Sequence, residues 1–336
     1  MAATRSNVRS PRHRESLRAG ELKHGFRIIS RLGTDPDRGV FLAAHEQRGD
    51  LVVLKHARKD AEGGLFDRII HEHEVLSGLS DSSIRTSLRI QRGREGLRTT
   101  DITMLARFVD GSHLGELEDP GVATVLKAAI GAARGLAHAH EQGIVHGRID
   151  PDHILVEPGG EAKLIGFGSS IRAGATFDPD EAGCDVVAPE RHLGGVATAR
   201  TDIFGLAASI WSVLGDSPLE YEFAEDLDGA GWLSRHEIWT RQVERADLPA
   251  ELASLLVRCL HPDPLRRPAF VDGVRSALER IASAWSRRDG VVARLETSVE
   301  GGETRGDEYR IDPRGTDLSC RPCATSGNSN SFRRAG

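Results

Sequence analysis

From Gly25 to Phe108 the apolar residues fall in short runs rich in β-branched side chains, divided by Gly, Asp and Pro. Phe26-Arg27-Ile28-Ile29, Val40-Phe41-Leu42-Ala43 and Leu51-Val52-Val53-Leu54 read as strands. Phe66, Ile69, Ile70, Val75, Leu76 and Leu79 follow near helical spacing and predict an amphipathic helix over 64–79. Two more strands, 86–91 and 100–108, flank a Gly/Arg-rich turn. After Gly111 the period becomes helical. The alanine-rich stretch Val122–Gln142 predicts a long helix that stops at Gly143, and further helices are expected over 201–214, 248–260 and 270–287. Strands around one helix, followed by a mostly helical half, predict an α+β chain of two parts, 21–107 and 108–288. Residues 1–20 carry arginines without apolar periodicity and 289–336 are polar and Gly-rich, so a disordered basic arm and a disordered tail are expected.

Composition narrows the class. A hydrophobic share of 39% with 28% charged residues suits an ordinary globular protein, and a net charge of -6 argues against nucleic acid as partner. The longest apolar run, Ile203–Leu214, falls short of the roughly 20 residues that cross a bilayer, so no membrane is expected. The N-terminal arginines lead into polar sequence rather than an apolar stretch, unlike a secretory signal. With four cysteines in all, a reducing, cytoplasmic setting is expected. Cys320 and Cys323 form a lone C-x-x-C without a second pair, and are read as tail thiols rather than a zinc site.

The chemistry concentrates in the segment from Ile144 to Val156, which contains His146, Arg148, Asp150 and His153, and in Gly166-Phe167-Gly168 ten residues further on. With Val52-Val53-Leu54-Lys55 upstream, Ala188-Pro189-Glu190 downstream and Arg267 in Asp263-Pro264-Leu265-Arg266-Arg267-Pro268, the chain resembles a protein kinase over about Leu22 to Ser286. Within that superfamily it is similar to the bacterial Ser/Thr (Hanks-type) domains. The resemblance implies the two-lobed kinase fold, with a small β-rich lobe holding one main helix and a larger helical lobe. It implies that Lys55 contacts nucleotide phosphates and that Glu72 is its ion-pair partner. Met104 to Gly111 would be the hinge, with Arg107 and Val109 beside the adenine that Val40, Val53 and Leu155 sandwich. His146, Phe167 and Leu76 would form an apolar column between the lobes, Asp202 would brace the catalytic segment, and Glu190 would pair with buried Arg267.

Against the family pattern H-R-D-L-x-x-x-N, Arg148 replaces the Asp that aids the nucleophile and His153 replaces the metal-holding Asn. Gly166 replaces the metal-binding Asp of D-F-G. A guanidinium stays protonated to a pKa above about 12 and cannot serve as base. Imidazole is a poor ligand for the hard Mg²⁺ ion, and glycine offers none. In the phosphate loop Gly33 keeps the first glycine, while Asp35 and Arg38 take the next two places unless a one-residue bulge brings in Gly39. Asp150 occupies the place of the catalytic-loop Lys; it is read as exchanging charge with Arg148, with a role as displaced base the rival. Ser169, Ser170 and Thr176 lie in the activation-segment equivalent and are read as exposed loop hydroxyls, with phosphorylation by another kinase the rival.

The expected function is therefore a catalytically impaired regulator or scaffold, a pseudokinase with a protein partner, binding ATP weakly or without Mg²⁺. An atypical active Ser/Thr kinase and an interaction module without nucleotide are the alternatives.

Overall fold

In this computed structural model the structure describes residues 17–32, 39–59, 64–179, 188–215 and 229–300. The chain divides into one unit through Arg288 and a second from Asp289 to Gly336. The first begins with β1 (Leu22–Lys23), β2 (Phe26–Arg31), β3 (Val40–His45) and β4 (Leu51–Arg58), then helix α1 (Leu65–Gly78), then β5 (Ser87–Glu95) and β6 (Arg98–Arg107). These strands form one antiparallel sheet in the order β1-β2-β3-β4-β6-β5.

Strand alternation decides which side chains meet the helix. Val52 and Leu54 pack with Phe26, Ile28, Phe41, Ala43 and Leu105 on one face. Val53 and Ala57 share the other face with Ile102, Met104, Ala106 and Ile69 of α1. Lys55 has the parity of Val53 and Ala57, so it points toward α1, whose buried line is Ile69, Glu72 and Leu76.

The helical half contains β7 (Ser112–His113), α2 (Val122–Glu141), β8 (Ile144–Val145), β9 (Ile154–Val156), β10 (Ala162–Leu164), β11 (Ile171–Arg172), α3 (Pro189–His192), α4 (Ala199–Leu214), α5 (Gly229–Arg245), α6 (Ala250–Cys259) and α7 (Val271–Glu300). Small residues let α2 approach β10 closely: a Cβ at Gly131 would lie 3.1 Å from that of Ala162, and one at Gly135 3.0 Å from the Ser83 carbonyl oxygen. Helix α4 is buried on all sides from Thr201 to Trp211, as an apolar helix at the centre of a lobe must be. It starts at Thr198, whose side chain accepts a hydrogen bond from the Arg200 N–H. The strands and helices are those of a two-lobed kinase fold of class α+β.

Two elements depart from the sequence pattern. Helix α5 was not anticipated, because its apolar positions are few; Trp232, Trp239 and Val243 nonetheless line up and are buried. Helix α7 runs to Glu300, past Arg287 where the apolar period fades and into the stretch expected to be disordered. Among the described residues no helix is long and apolar enough to cross a membrane. Residues 1–16 of the expected arm and the tail beyond Glu300, including Cys320 and Cys323, lie outside the described residues. Residues 17–20 of that arm are described: Leu17 packs against the cluster around Phe26, and the Gly20 N–H donates to the Ile28 carbonyl at 2.8 Å.

Two interior histidines make the fold acid-sensitive. Burial, helped by the charge of Lys23, pushes the His56 imidazole down to about 4. Burial, helped by the charge of His153, does the same to His146, also about 4. An unfolded histidine titrates near 6.5, so below that pH the unfolded chain takes up protons that the native one refuses. Stability should be full above pH 7 and fall as the pH drops, by about 2 kcal/mol for each histidine between pH 7 and 5. Urea unfolding across that range checks this: the midpoint should fall, and a flat profile would refute it. His56→Gln should remove one share of the slope.

Candidate functional site

The lobes meet around Lys55 and Glu72. Lys55 Nζ donates to both carboxylate oxygens of Glu72, at 2.7 and 2.6 Å. Burial alone would raise the Glu72 carboxyl, but the charges of Lys55 and Arg85, the Lys55 hydrogen bond and the charge of His153 together hold it below the usual range. A second anchor keeps α1 against the larger lobe. His71 Nε2 lies 2.7 Å from the Ser170 carbonyl oxygen, and Ser170 Oγ donates to the Phe167 carbonyl at 2.6 Å. Ser170 is thus buried and engaged rather than an exposed hydroxyl; Thr176 is exposed and Ser169 half-buried.

Behind this pair stands the apolar column expected from the sequence. His146 and Phe167 meet edge-to-face with centroids 4.6 Å apart, and Leu76 is buried with Phe167 in the same cluster. Asp202 supports the catalytic segment from below: its oxygens accept from the His146 N–H at 2.8 Å and the Gly147 N–H at 2.7 Å. His140 Nε2 lies 2.8 Å from the same carboxylate. Glu190 and Arg267 form a two-pronged pair at 2.8 and 2.9 Å.

Val53 and Val40 line the small-lobe side of the cleft with the cluster around Ile69. Val109, Leu155 and Ile165 pack together on the opposite side. Arg107 ends β6 with its side chain exposed. Gly33, with Asp35 and Arg38, lies outside the described residues.

The catalytic segment itself is closed on its own charges. Asp150 caps the turn Pro151–His153: its Oδ1 accepts from the His153 N–H at 3.0 Å and sits 2.7 Å from His153 Nδ1. Its Oδ2 lies 4.0 Å from Arg148 Nε. Burial would raise the Asp150 carboxyl, but contact with His153 and the charge of Arg148 hold it below the ordinary value. The carboxylate is ionised and clasped between two basic side chains, which is the charge exchange read from the sequence. Gly166 has φ +83, and a Cβ there would fall 2.1 Å from His153 Cδ2 and 2.6 Å from Nε2. The imidazole therefore fills the space into which a side chain at residue 166 would project. The turn thus brings together an imidazole, a glycine and a carboxylate already engaged by His153. Among the described residues no group of three His, Cys, Asp or Glu side chains could hold a metal.

Two participants were missed in the sequence. Gly147, φ +74, stands where the pattern has Arg, and the room it leaves is used by Arg191, which donates to the Gly147 carbonyl at 2.8 Å and lies 5.3 Å over the Phe177 ring. The signal available was the glycine inside the motif. Arg85 is buried between the lobes near Glu72, and nothing in its sequence neighbourhood marks it.

Comparison with known proteins places this geometry. The sequence profile of the protein kinase domain matches residues 26–279. The DNA damage-responsive serine/threonine-protein kinase RqkA of Deinococcus radiodurans is 27% identical over 311 residues, covering 88% of this chain and 45% of that protein. The serine/threonine-protein kinase pkn2 of Myxococcus xanthus is 25% identical over 282 residues, 78% of this chain and 33% of that one. Pkn1 of the same organism is 28% identical over 302 residues, 81% and 41%. The chain spans less than half the length of each of these relatives.

Proposed function

The chain belongs to the protein kinase domain family, and from that premise we propose that it is a catalytically impaired member. In this reading it is a regulatory or scaffold protein that engages a protein partner and takes up ATP weakly or without Mg²⁺. The family's ordinary ligand is ATP with Mg²⁺, and its transfer step rests on positioning and metal-borne charge. One observation carries the reading: the His153 ring sits against Gly166, so both positions that would grip metal are taken by an imidazole and a bare backbone. Arg148 as a permanent cation, and Asp150 held by His153, support the absence of a general base. Loss of a base alone typically lowers the rate by about 10²–10⁴-fold.

The intact Lys55–Glu72 pair and the aligned column support nucleotide binding and a two-state scaffold that a partner could read. A second reading, an active Ser/Thr kinase of unusual mechanism, draws on that same pair and on the likeness to proteins named serine/threonine kinases.

A melting titration separates them. ATP in EDTA should raise the melting temperature of the full chain, adding Mg²⁺ should give no further rise, and Lys55→Met should abolish the effect. Radiolabel transfer from ATP to the protein or to a generic substrate, lost in Lys55→Met, would refute the impaired reading.

A further inference from the structure

His153 is held on one side of its ring and open on the other. Its Nδ1 lies 2.7 Å from Asp150 Oδ1, and its backbone N–H donates to the same oxygen at 3.0 Å, so ring and turn are fixed together. A Cβ on Gly166 would fall 2.6 Å from Nε2, which therefore stands where the stem of a side chain at residue 166 would begin. In the family pattern that stem carries a metal-gripping carboxylate. Among the described residues Nε2 has no hydrogen-bond partner, and 15% of the His153 side chain stays exposed.

The turn that receives this ring also reaches the Lys55–Glu72 pair. A Cβ on Gly168 would lie 3.7 Å from Glu72 Oε2, the oxygen to which Lys55 Nζ donates at 2.6 Å. Gly166-Phe167-Gly168 thus has His153 against one end and an ammonium–carboxylate pair, neutral in sum, against the other. The remaining groups around the ring leave its outer edge free. Asp150 faces Nδ1, Arg148 stands behind Asp150 with Nε 4.0 Å from Oδ2, and the His146 ring lies edge-on with centroids 5.6 Å apart. A neutral imidazole whose Nδ1–H faces a carboxylate presents a lone pair at Nε2, which repels phosphate. Only the imidazolium offers a donor at both nitrogens.

We propose that His153 is a phosphate-binding residue: as an imidazolium clasped by Asp150, it stands in for the metal ion as the cation that meets a nucleotide's phosphate chain. This rests on the nucleotide-binding reading above and adds a proton to it. Binding without metal then requires a protonated ring, so affinity falls as the pH rises past the range in which histidine ionises.

Calorimetric titration of the full chain with ATP and, as an adenine-free probe, inorganic tripolyphosphate, in EDTA at steps from pH 6 to 9, tests this. At pH 6 His153→Gln should bind both ligands on the order of tenfold more weakly than wild type, the worth of a hydrogen bond between charged groups. By pH 9 that gap should have closed, because an imidazole is then neutral. The ligands' own ionisation is common to both proteins, so the difference between the two profiles belongs to residue 153. Parallel profiles, or equal affinities at pH 6, overturn the assignment even if wild type binds ATP. Should wild type bind neither ligand at any pH, the nucleotide reading falls and the assignment with it. Should His153→Gln fail to fold, His153→Asn takes its place with the same two outcomes.

Discussion

Glu190→Ala is expected to lower the unfolding free energy by about 3–5 kcal/mol, the cost of leaving a buried charge without its counter-ion. Arg267 has a fully buried side chain, and all five of its N–H donors are used. Nη1 and Nη2 each bond a Glu190 oxygen, Nη1 also reaches the Arg200 carbonyl and Nη2 the Pro262 carbonyl at 3.0 Å, and Nε reaches the His261 carbonyl at 2.6 Å. Its carbon lies 4.9 Å from the Phe204 ring centroid, which ties the same cation to α4. Removing the carboxylate strips two of these bonds and strands the charge in a space water does not reach. Glu190→Gln should lose less, because one amide oxygen can still accept. Replacing both partners, Glu190→Met with Arg267→Leu, should recover part of the loss, since buried ion pairs are often matched by apolar side chains of similar volume. Urea midpoints at fixed ionic strength provide the measurement. A fall of under about 1 kcal/mol for Glu190→Ala would mean that the pair is not what joins α3 to the loop before α7.

How far the sequence carried follows from the kind of information each feature needs. Runs of β-branched residues and the 3.6-residue period mark elements locally, so β2 to β6, α1, α2 and α4 were legible to within a few residues, while the two-residue β1 was not. Helix α5 was not, because its stripe consists of Trp232, Trp239 and Val243 among polar neighbours, and only the packed lobe shows why so few positions suffice. The pairs Lys55–Glu72 and Glu190–Arg267 and the brace at Asp202 were legible because motifs far apart in the chain bring known partners together. What depends on a side chain's path through space stayed hidden. His153 and Gly166 read as two separate losses in sequence, whereas in three dimensions they are one event, the ring filling the volume the glycine leaves. Arg85 was invisible for a related reason: one arginine between Ile84 and Thr86 carries no mark of burial, and its significance lies in the fold that closes over it.

That coupling leads to the largest functional change expected. Gly166→Asp alone should fail to create a metal site and should destabilise the protein by about 2–3 kcal/mol, since its Cβ overlaps the His153 ring and its backbone has φ +83. His153→Asn clears that volume. The double variant, Gly166→Asp with His153→Asn, should regain most of the stability and acquire a Mg²⁺-dependent rise in melting temperature with ATP that neither single variant shows. The coupling between the two substitutions is then directly measurable, because each alone does harm or nothing and together they gain a property. Phosphoryl transfer should remain weak in the double variant, for Arg148 still occupies the place of the base. Arg148→Asp added to it restores an acceptor for the substrate proton and should raise the rate by about 10²–10⁴-fold over the double variant. It also brings a second carboxylate near Asp150, whose clasp has then lost both Arg148 and His153. Asp150→Lys should therefore be required alongside it, returning the cation that the family pattern has there. Transfer of radiolabel by the quadruple variant, lost again on Lys55→Met, is the expected end point. A Gly166→Asp single variant that binds Mg·ATP as well as the double variant would show that His153 does not block the site.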